Sequence, residues 1–211
     1  ARKEITVGAV NKLSPPPLFD LYGGEMGGVS PYSSRGPIVW ESFAGEKSIL
    51  KPDISAFGTY ICSTKANVHN VYNIGECSPN IITNYKIGSG TSMATPHVAG
   101  AAALVKQAYP DWTPQEIKSL LKNTAVGIDN ENDKINNPMG FGRVDPLNAL
   151  LLFSKKPLVA ELRELPWILY FTDPFQEFSV YGTAEGTDFD YFELLLKSKE
   201  SNSWLSVCKK N

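Results

Sequence analysis

No apolar run in the sequence approaches the roughly 18 residues that a membrane-spanning helix needs. Its first residues, Ala1-Arg2-Lys3-Glu4, contain no apolar leader core. Neither end carries a recognisable signal, so we read the 211-residue chain as a piece of a longer protein. Charge is scarce in net terms: 20 Lys and Arg against 22 Asp and Glu leave a formal charge of -2. The basic residues are scattered, and the one dense cluster is Lys209-Lys210. Nucleic-acid binding needs a basic stripe, so that class of partner is excluded. Cysteine is also sparse. Cys62, Cys77 and Cys208 are too few for a disulfide scaffold and are not spaced as zinc ligands. Cys62 and Cys77 can pair across a loop in an extracellular setting, leaving Cys208 odd; three unrelated thiols fit equally well.

At 42% hydrophobic and 20% charged, the composition is that of a globular protein with a sizeable core. The run Glu4–Val10 is apolar on both alternating faces and rich in β-branched residues, which predicts a buried strand in a parallel sheet. A stretch rich in proline and glycine, 14–37, reads as surface loop. Residues 54–64 form a second strand candidate interrupted at Gly58, and 65–88 read as a loop or short hairpin.

Helical patterns follow. From Ser92 to Gln107 the chain is apolar on nearly every face, which predicts a central, buried helix with Pro96 accommodated in its first turn. Thr113-Pro114-Gln115-Glu116 reads as a capping box with proline at the first helical position, followed by an apolar stripe of Ile117, Leu120 and Leu121. Asp145-Pro146 begins a third helix reaching about Phe153. Strands followed by helices around a buried central helix indicate an α/β layered domain over 1–154. After the Lys155-Lys156-Pro157 linker the helical period vanishes. Aromatic and β-branched clusters at 167–171, 178–181, 191–195 and 204–207, punctuated by turns at Gly182, Gly186 and Thr187-Asp188, predict the beginning of an antiparallel β-rich module over 155–211.

Chemistry concentrates in Gly90-Thr91-Ser92-Met93-Ala94-Thr95-Pro96-His97-Val98-Ala99-Gly100. A serine just after a glycine turn, at the N-terminus of an apolar helix, admits two readings. One is an ordinary helix cap. The other is a nucleophile held at a fixed point, with free backbone N–H groups ready to receive an oxyanion. Gly90-x-Ser92-x-Ala94 approaches the nucleophile elbow of α/β-hydrolases but lacks its second glycine. Asp129-Asn130-Glu131-Asn132-Asp133 alternates oxygen ligands as a calcium loop does, but Lys134 stands where the turn glycine belongs, which favours a solvated loop.

The eleven-residue segment closely resembles the active-serine motif of the subtilisin-like serine proteases, the subtilases. Further blocks match in family order. Ile5–Val10 is similar to the strand after the oxyanion asparagine, and Tyr32-Ser33-Ser34-Arg35-Gly36-Pro37 to the family's Ser-Ser-x-Gly-Pro loop. Lys51-Pro52-Asp53-Ile54-Ser55-Ala56-Phe57-Gly58 resembles a family strand in which proline usually takes the place of Phe57. Gly140–Asp145 resembles the step into the last helix.

The resemblance implies the C-terminal half of a subtilisin-like layered domain, with a parallel sheet and a buried central helix. Ser92 would be the nucleophile and its own backbone N–H an oxyanion donor, with Ser89, Gly90 and Thr91 contacting substrate. The catalytic Asp and His and the side-chain oxyanion Asn precede this region in the family. They would come from a missing N-terminal half, in cis or in trans. His97 corresponds to a structural histidine, His69 lies in a polar segment, and Asp53 falls at a strand end away from the chemistry. The implied activity is endopeptidase cleavage of peptide or protein substrates through an acyl-enzyme, by a secreted or cell-surface protein. This chain alone is expected to be inactive. A catalytically inactive remnant acting as a structural or interaction module is the alternative. No cofactor is evident; the resemblance brings calcium, common in the family. The segment with Tyr181–Ala184, Phe189–Tyr191 and Trp204 resembles β repeats that follow some large subtilase domains.

Overall fold

The computed structural model describes residues 4–11, 27–42, 45–65, 85–127, 135–151, 156–162, 182–186, 189–196, 203 and 205–210. In chain order the elements are β1 (Val7–Val10), β2 (Ile38–Ser42), β3 (Gly45–Ile49), β4 (Ile54–Phe57), β5 (Ile61–Thr64) and β6 (Tyr85–Gly88). The helices α1 (Thr91–Ala108), α2 (Pro114–Asn123) and α3 (Pro146–Leu151) follow, then β7 (Val159–Leu162), β8 (Gly182–Glu185), β9 (Phe192–Leu196) and β10 (Leu205–Lys210). The chain divides into two compact units, 1–153 and 154–211.

In the first unit β1 and β4 pair in parallel, from Val7 opposite Ile54 to Val10 opposite Phe57. β1 is apolar on both faces and β4 on all but Ser55, whose buried hydroxyl donates to Met139 O at 3.0 Å, as suits strands buried within an α/β layer. Single bridges widen the layer: Val10 meets Val29, Ser55 meets Arg143, and Arg143 meets Val126. Helix α1 lies against this sheet through Ala94, Val98, Ala101 and Val105, residues that recur on one helical face. They share a core with Ala9, Ile54, Ala56, Trp112, Ile117, Leu120, Leu121 and Ala149. Each fully buried Ile or Leu in it contributes about 1.5–3 kcal/mol.

The capping box forms as its spacing predicts. The Thr113 N–H donates to Glu116 Oε2 at 2.6 Å, and the Glu116 N–H to Thr113 Oγ1 at 3.3 Å. Asp145 performs the same task for α3, its Oδ1 accepting the Asn148 N–H at 3.0 Å. The candidate strand 54–64 does break at Gly58. Its first part stays in the parallel sheet as β4, while its second part, β5, turns away and pairs antiparallel with β6 as a hairpin. A second hairpin, β2 with β3, has no counterpart among the sequence expectations.

Two expectations for α1 need correction. All-round burial is not realised among the described residues: Ala99, Ala103 and Leu104 are exposed, Leu104 by 47%. The sheet covers one face of the helix, and among the described residues nothing covers the opposite one. Pro96 is the sixth helical residue, so it lies in the second turn. Its missing N–H leaves the Ser92 carbonyl without an i+4 donor. Side chains grip the carbonyls on either side of that gap: Thr95 Oγ1 donates to Thr91 O at 2.9 Å, and His97 Nδ1 to Met93 O at 2.8 Å.

The exposed apolar face has a measurable consequence. The isolated 211-residue chain is expected to bind a hydrophobic dye such as ANS and to melt without a cooperative, monomeric transition. A sharp thermal transition independent of concentration would contradict this.

The second unit contains two antiparallel pairs, β7 with β8 and β9 with β10. Gly182, expected as a turn, instead opens β8, and β7 lies where the sequence shows no strand signal of its own. The clusters at 167–171 and 178–181 lie outside the described residues.

Candidate active site

The site is built where β4 ends. The Gly58 N–H donates to Val10 O at 3.0 Å, and Gly58 O accepts the Gly90 N–H at 2.8 Å. A Cβ on Gly58 would sit 2.7 Å from Ala9 Cβ and 2.8 Å from Gly90 O, so only glycine permits this approach. Gly90 has φ 153, a conformation that side-chain-bearing residues rarely adopt. These two glycines let the residues that lead from β6 into α1 pack against the carboxyl end of the parallel sheet.

Gly90 is the N-cap of α1, and having no side chain it makes no side-chain cap. Ser92 is therefore the second helical residue, with its hydroxyl free of capping duty, and it is exposed. Met93 and Ala94 send their N–H groups to Gly90 O at 3.0 and 3.3 Å. Among the described residues nothing accepts from the Ser92 N–H. An exposed alcohol and a free N–H thus stand together at the positive end of an 18-residue helix. That pair can attack a carbonyl and hold the oxyanion that results.

Ser89 has a local task, since its Oγ accepts the Tyr60 N–H at 2.9 Å. Tyr60 has φ 53, and this bond secures the strained turn between β4 and β5. Behind the turn lies a buried polar cluster that sequence reasoning missed. Ser30 Oγ donates to Asn11 Oδ1 at 2.8 Å and lies 2.9 Å from Thr59 Oγ1, which is itself 2.9 Å from Asn11 Oδ1. Tyr32 OH is 2.8 Å from Thr59 Oγ1 and donates to Gly58 O at 2.9 Å. These residues come from the end of β1, the loop after it and the end of β4. Tyr32 opens the block that resembles the family's Ser-Ser-x-Gly-Pro loop, while Asn11, Ser30 and Thr59 carry no sequence signal beyond their polarity.

The remaining titratable candidates fall elsewhere. His97 lies five residues after Ser92 on α1, which at about 100° per residue puts the two about 140° apart around the helix. Its Nδ1 is engaged with the carbonyl of Met93. Asp53 immediately precedes β4, at the end opposite Gly58 and roughly 16 Å from it at about 3.3 Å per strand residue. It is buried between Lys51 Nζ at 2.6 Å and Lys118 Nζ at 3.2 Å, and it accepts from the Thr6 N–H at 2.8 Å. His69 and the Asp129–Asp133 run lie outside the described residues. Among the described residues no cluster of three or more His, Cys, Asp or Glu could hold a metal ion. Cys62 is disulfide-bonded and Cys208 is free; Cys77 lies outside the described residues.

Comparison with known proteins agrees with the local geometry. The Subtilase family profile (peptidase S8) matches residues 1–142. Subtilisin-like protease SBT1.9 of Arabidopsis thaliana is 45% identical over 102 residues, covering 48% of this chain and 13% of that protein. The Minor extracellular protease Vpr of Bacillus subtilis is 37% identical over 124 residues, 58% of this chain and 14% of its own. SBT1.2 of Arabidopsis thaliana aligns over 175 residues at 34% identity, 76% of this chain and 21% of its own. Among solved structures, fervidolysin from Fervidobacterium pennivorans, a keratinolytic enzyme related to subtilisin, superposes with TM-score 0.51 at 28% identity, over 70% of this chain and 19% of that one. The chain therefore spans between 13% and 21% of the length of these curated relatives. With the family profile running through the parallel sheet, the glycine turn and α1, the chain belongs to the subtilase family.

Proposed function

We propose that this chain supplies the nucleophile of a subtilisin-like serine endopeptidase. The observation that carries the reading is the free hydroxyl of Ser92 beside its own free N–H, on a turn that two glycines hold at the carboxyl end of the sheet. In the proposed reaction Ser92 Oγ attacks the carbonyl carbon of the scissile peptide bond and gives its proton to an imidazole. The oxyanion accepts the Ser92 N–H together with an asparagine side chain. Collapse breaks the C–N bond, the imidazole returns the proton to the leaving amine, and water then hydrolyses the ester. Imidazole, its carboxylate partner and the asparagine belong to a preceding segment, in cis or in trans. Ser89, Gly90 and Thr91 line the approach to the serine.

Two features support an extracellular or cell-surface location. Cys62 is disulfide-bonded, as suits an oxidising compartment. One relative is named an extracellular protease. Calcium binding, common in the family, would fall to residues beyond those described. The 154–211 unit would serve as an accessory module to the protease.

A fluorophosphonate probe tests the reading. Applied to the full-length protein it is expected to label Ser92, and to leave Ser92→Ala unlabelled. An unlabelled parent would instead support the inactive-remnant alternative.

A further inference from the structure

We infer that Tyr32 and Thr59 are positioning residues for the nucleophile, acting through the Gly58–Thr59 peptide; the inference rests on Ser92 being that nucleophile. Gly58 O is the anchor of the turn, because it accepts the Gly90 N–H at 2.8 Å. The same oxygen accepts Tyr32 OH at 2.9 Å. A carbonyl has no proton to give, so the tyrosine proton is committed to this contact. The phenol oxygen also lies 2.8 Å from Thr59 Oγ1, on the residue that completes the same peptide unit. The phenol therefore holds that peptide by its carbonyl and packs against the hydroxyl of the residue that follows.

Such a hold matters because of what Gly58 lacks. Without a Cβ, its backbone torsions are weakly restricted by sterics. Rotation of the Gly58–Thr59 peptide would swing the carbonyl away from Gly90 and carry the Ser92 turn with it. Here hydrogen bonds supply the restriction that a side chain cannot.

The anchor is itself rigid. Thr59, Ser30 and Asn11 are 2%, 0% and 3% exposed, and their oxygens form a closed triangle with sides of 2.8–2.9 Å. Burying so many polar groups costs desolvation that apolar residues would avoid. Once satisfied, such a network instead specifies one geometry in a low-dielectric interior. It stands at the end of the sheet where Ser92 emerges, behind a turn whose placement decides whether an attack trajectory exists.

The test is made in the full-length protein, with peptide turnover and the rate of fluorophosphonate acylation as readouts. Tyr32→Phe keeps the ring and removes only the hydroxyl. It is expected to lower kcat about 10- to 100-fold with KM little changed, and to slow acylation of Ser92 in parallel. Thr59→Ser, which retains the hydroxyl, should acylate at nearly the parental rate, while Thr59→Val should be slowed like Tyr32→Phe. All rates are read well below each variant's thermal midpoint, where a merely structural loss would leave them unchanged. Parental acylation by Tyr32→Phe, or equal slowing by Thr59→Ser and Thr59→Val, overturns the positioning role while leaving the nucleophile assignment intact. Should Tyr32→Phe not fold, the two Thr59 variants decide the matter alone. A parent whose Ser92 is not labelled overturns both.

Discussion

Ser92→Ala in the full-length protein is expected to lower kcat for a peptide substrate by about a million-fold, with stability within about 0.5 kcal/mol of the parent. The kinetic magnitude is the one that loss of the nucleophile has in subtilisin itself. What the geometry supplies is the separation of the two effects. Gly90 caps α1, so the fold does not need the Ser92 hydroxyl for that purpose. The side chain is exposed, so its removal leaves no cavity. The variant keeps its backbone N–H at this position, preserving part of the oxyanion stabilisation and hence a small residual rate over water. Steady-state kinetics with a thermal melt of both proteins checks the prediction. Equal turnover by parent and variant would remove Ser92 from the chemistry. A large fall in melting temperature would mean that the hydroxyl is structural after all.

Much of the α/β unit was legible because its signals are local. β1 announces itself by apolar residues on both faces, the 54–64 strand candidate breaks where Gly58 interrupts it, and α2 is marked by a complete capping box. The serine turn was legible for another reason: taken alone it fits an ordinary helix cap equally well, and only the resemblance of Gly90–Gly100 to the subtilase motif singled out Ser92. What escaped was non-local. The apolar circumference of α1 says which surface needs cover but not what provides it, and among the described residues nothing covers Leu104. The turn in which Pro96 falls depends on where the helix starts, which Gly90 decides through its unusual φ. The Asn11–Ser30–Thr59 triangle joins residues 48 positions apart, and no periodicity marks hydroxyls that meet only after the sheet has formed. Gly182 read as a turn because glycine weakens strands, yet pairing with β7 overrides that preference.

Asp53→Asn in the full-length protein is expected to cost about 3–5 kcal/mol of stability near neutral pH, because it removes a buried counter-charge that two buried lysines share. Lys51 and Lys118 have side chains 9% and 7% exposed, and Asp53 lies between them. Lys118 also donates to the carbonyl of Glu4 at 3.0 Å, so the group ties α2 to the residues leading into β1. Burial alone would raise the Asp53 carboxyl. The hydrogen bond from Lys51, the backbone N–H of Thr6 and the charges of Lys118 and Lys51 together outweigh it, holding the group below its ordinary value of 3.8. The sign follows from that direction. A carboxyl depressed in the folded state binds its proton less readily there than in the unfolded chain. Its contribution is therefore complete above the ordinary value and is lost as pH falls through that value and then through the folded one. Urea midpoints measured against pH should show a gap between parent and Asp53→Asn that is constant from about pH 7 to about pH 5 and narrows below about pH 4. Catalysis per folded molecule should be unchanged, since Asp53 sits at the end of β4 away from Ser92. A gap that stays constant down to about pH 2 would show that the aspartate acts through packing rather than charge.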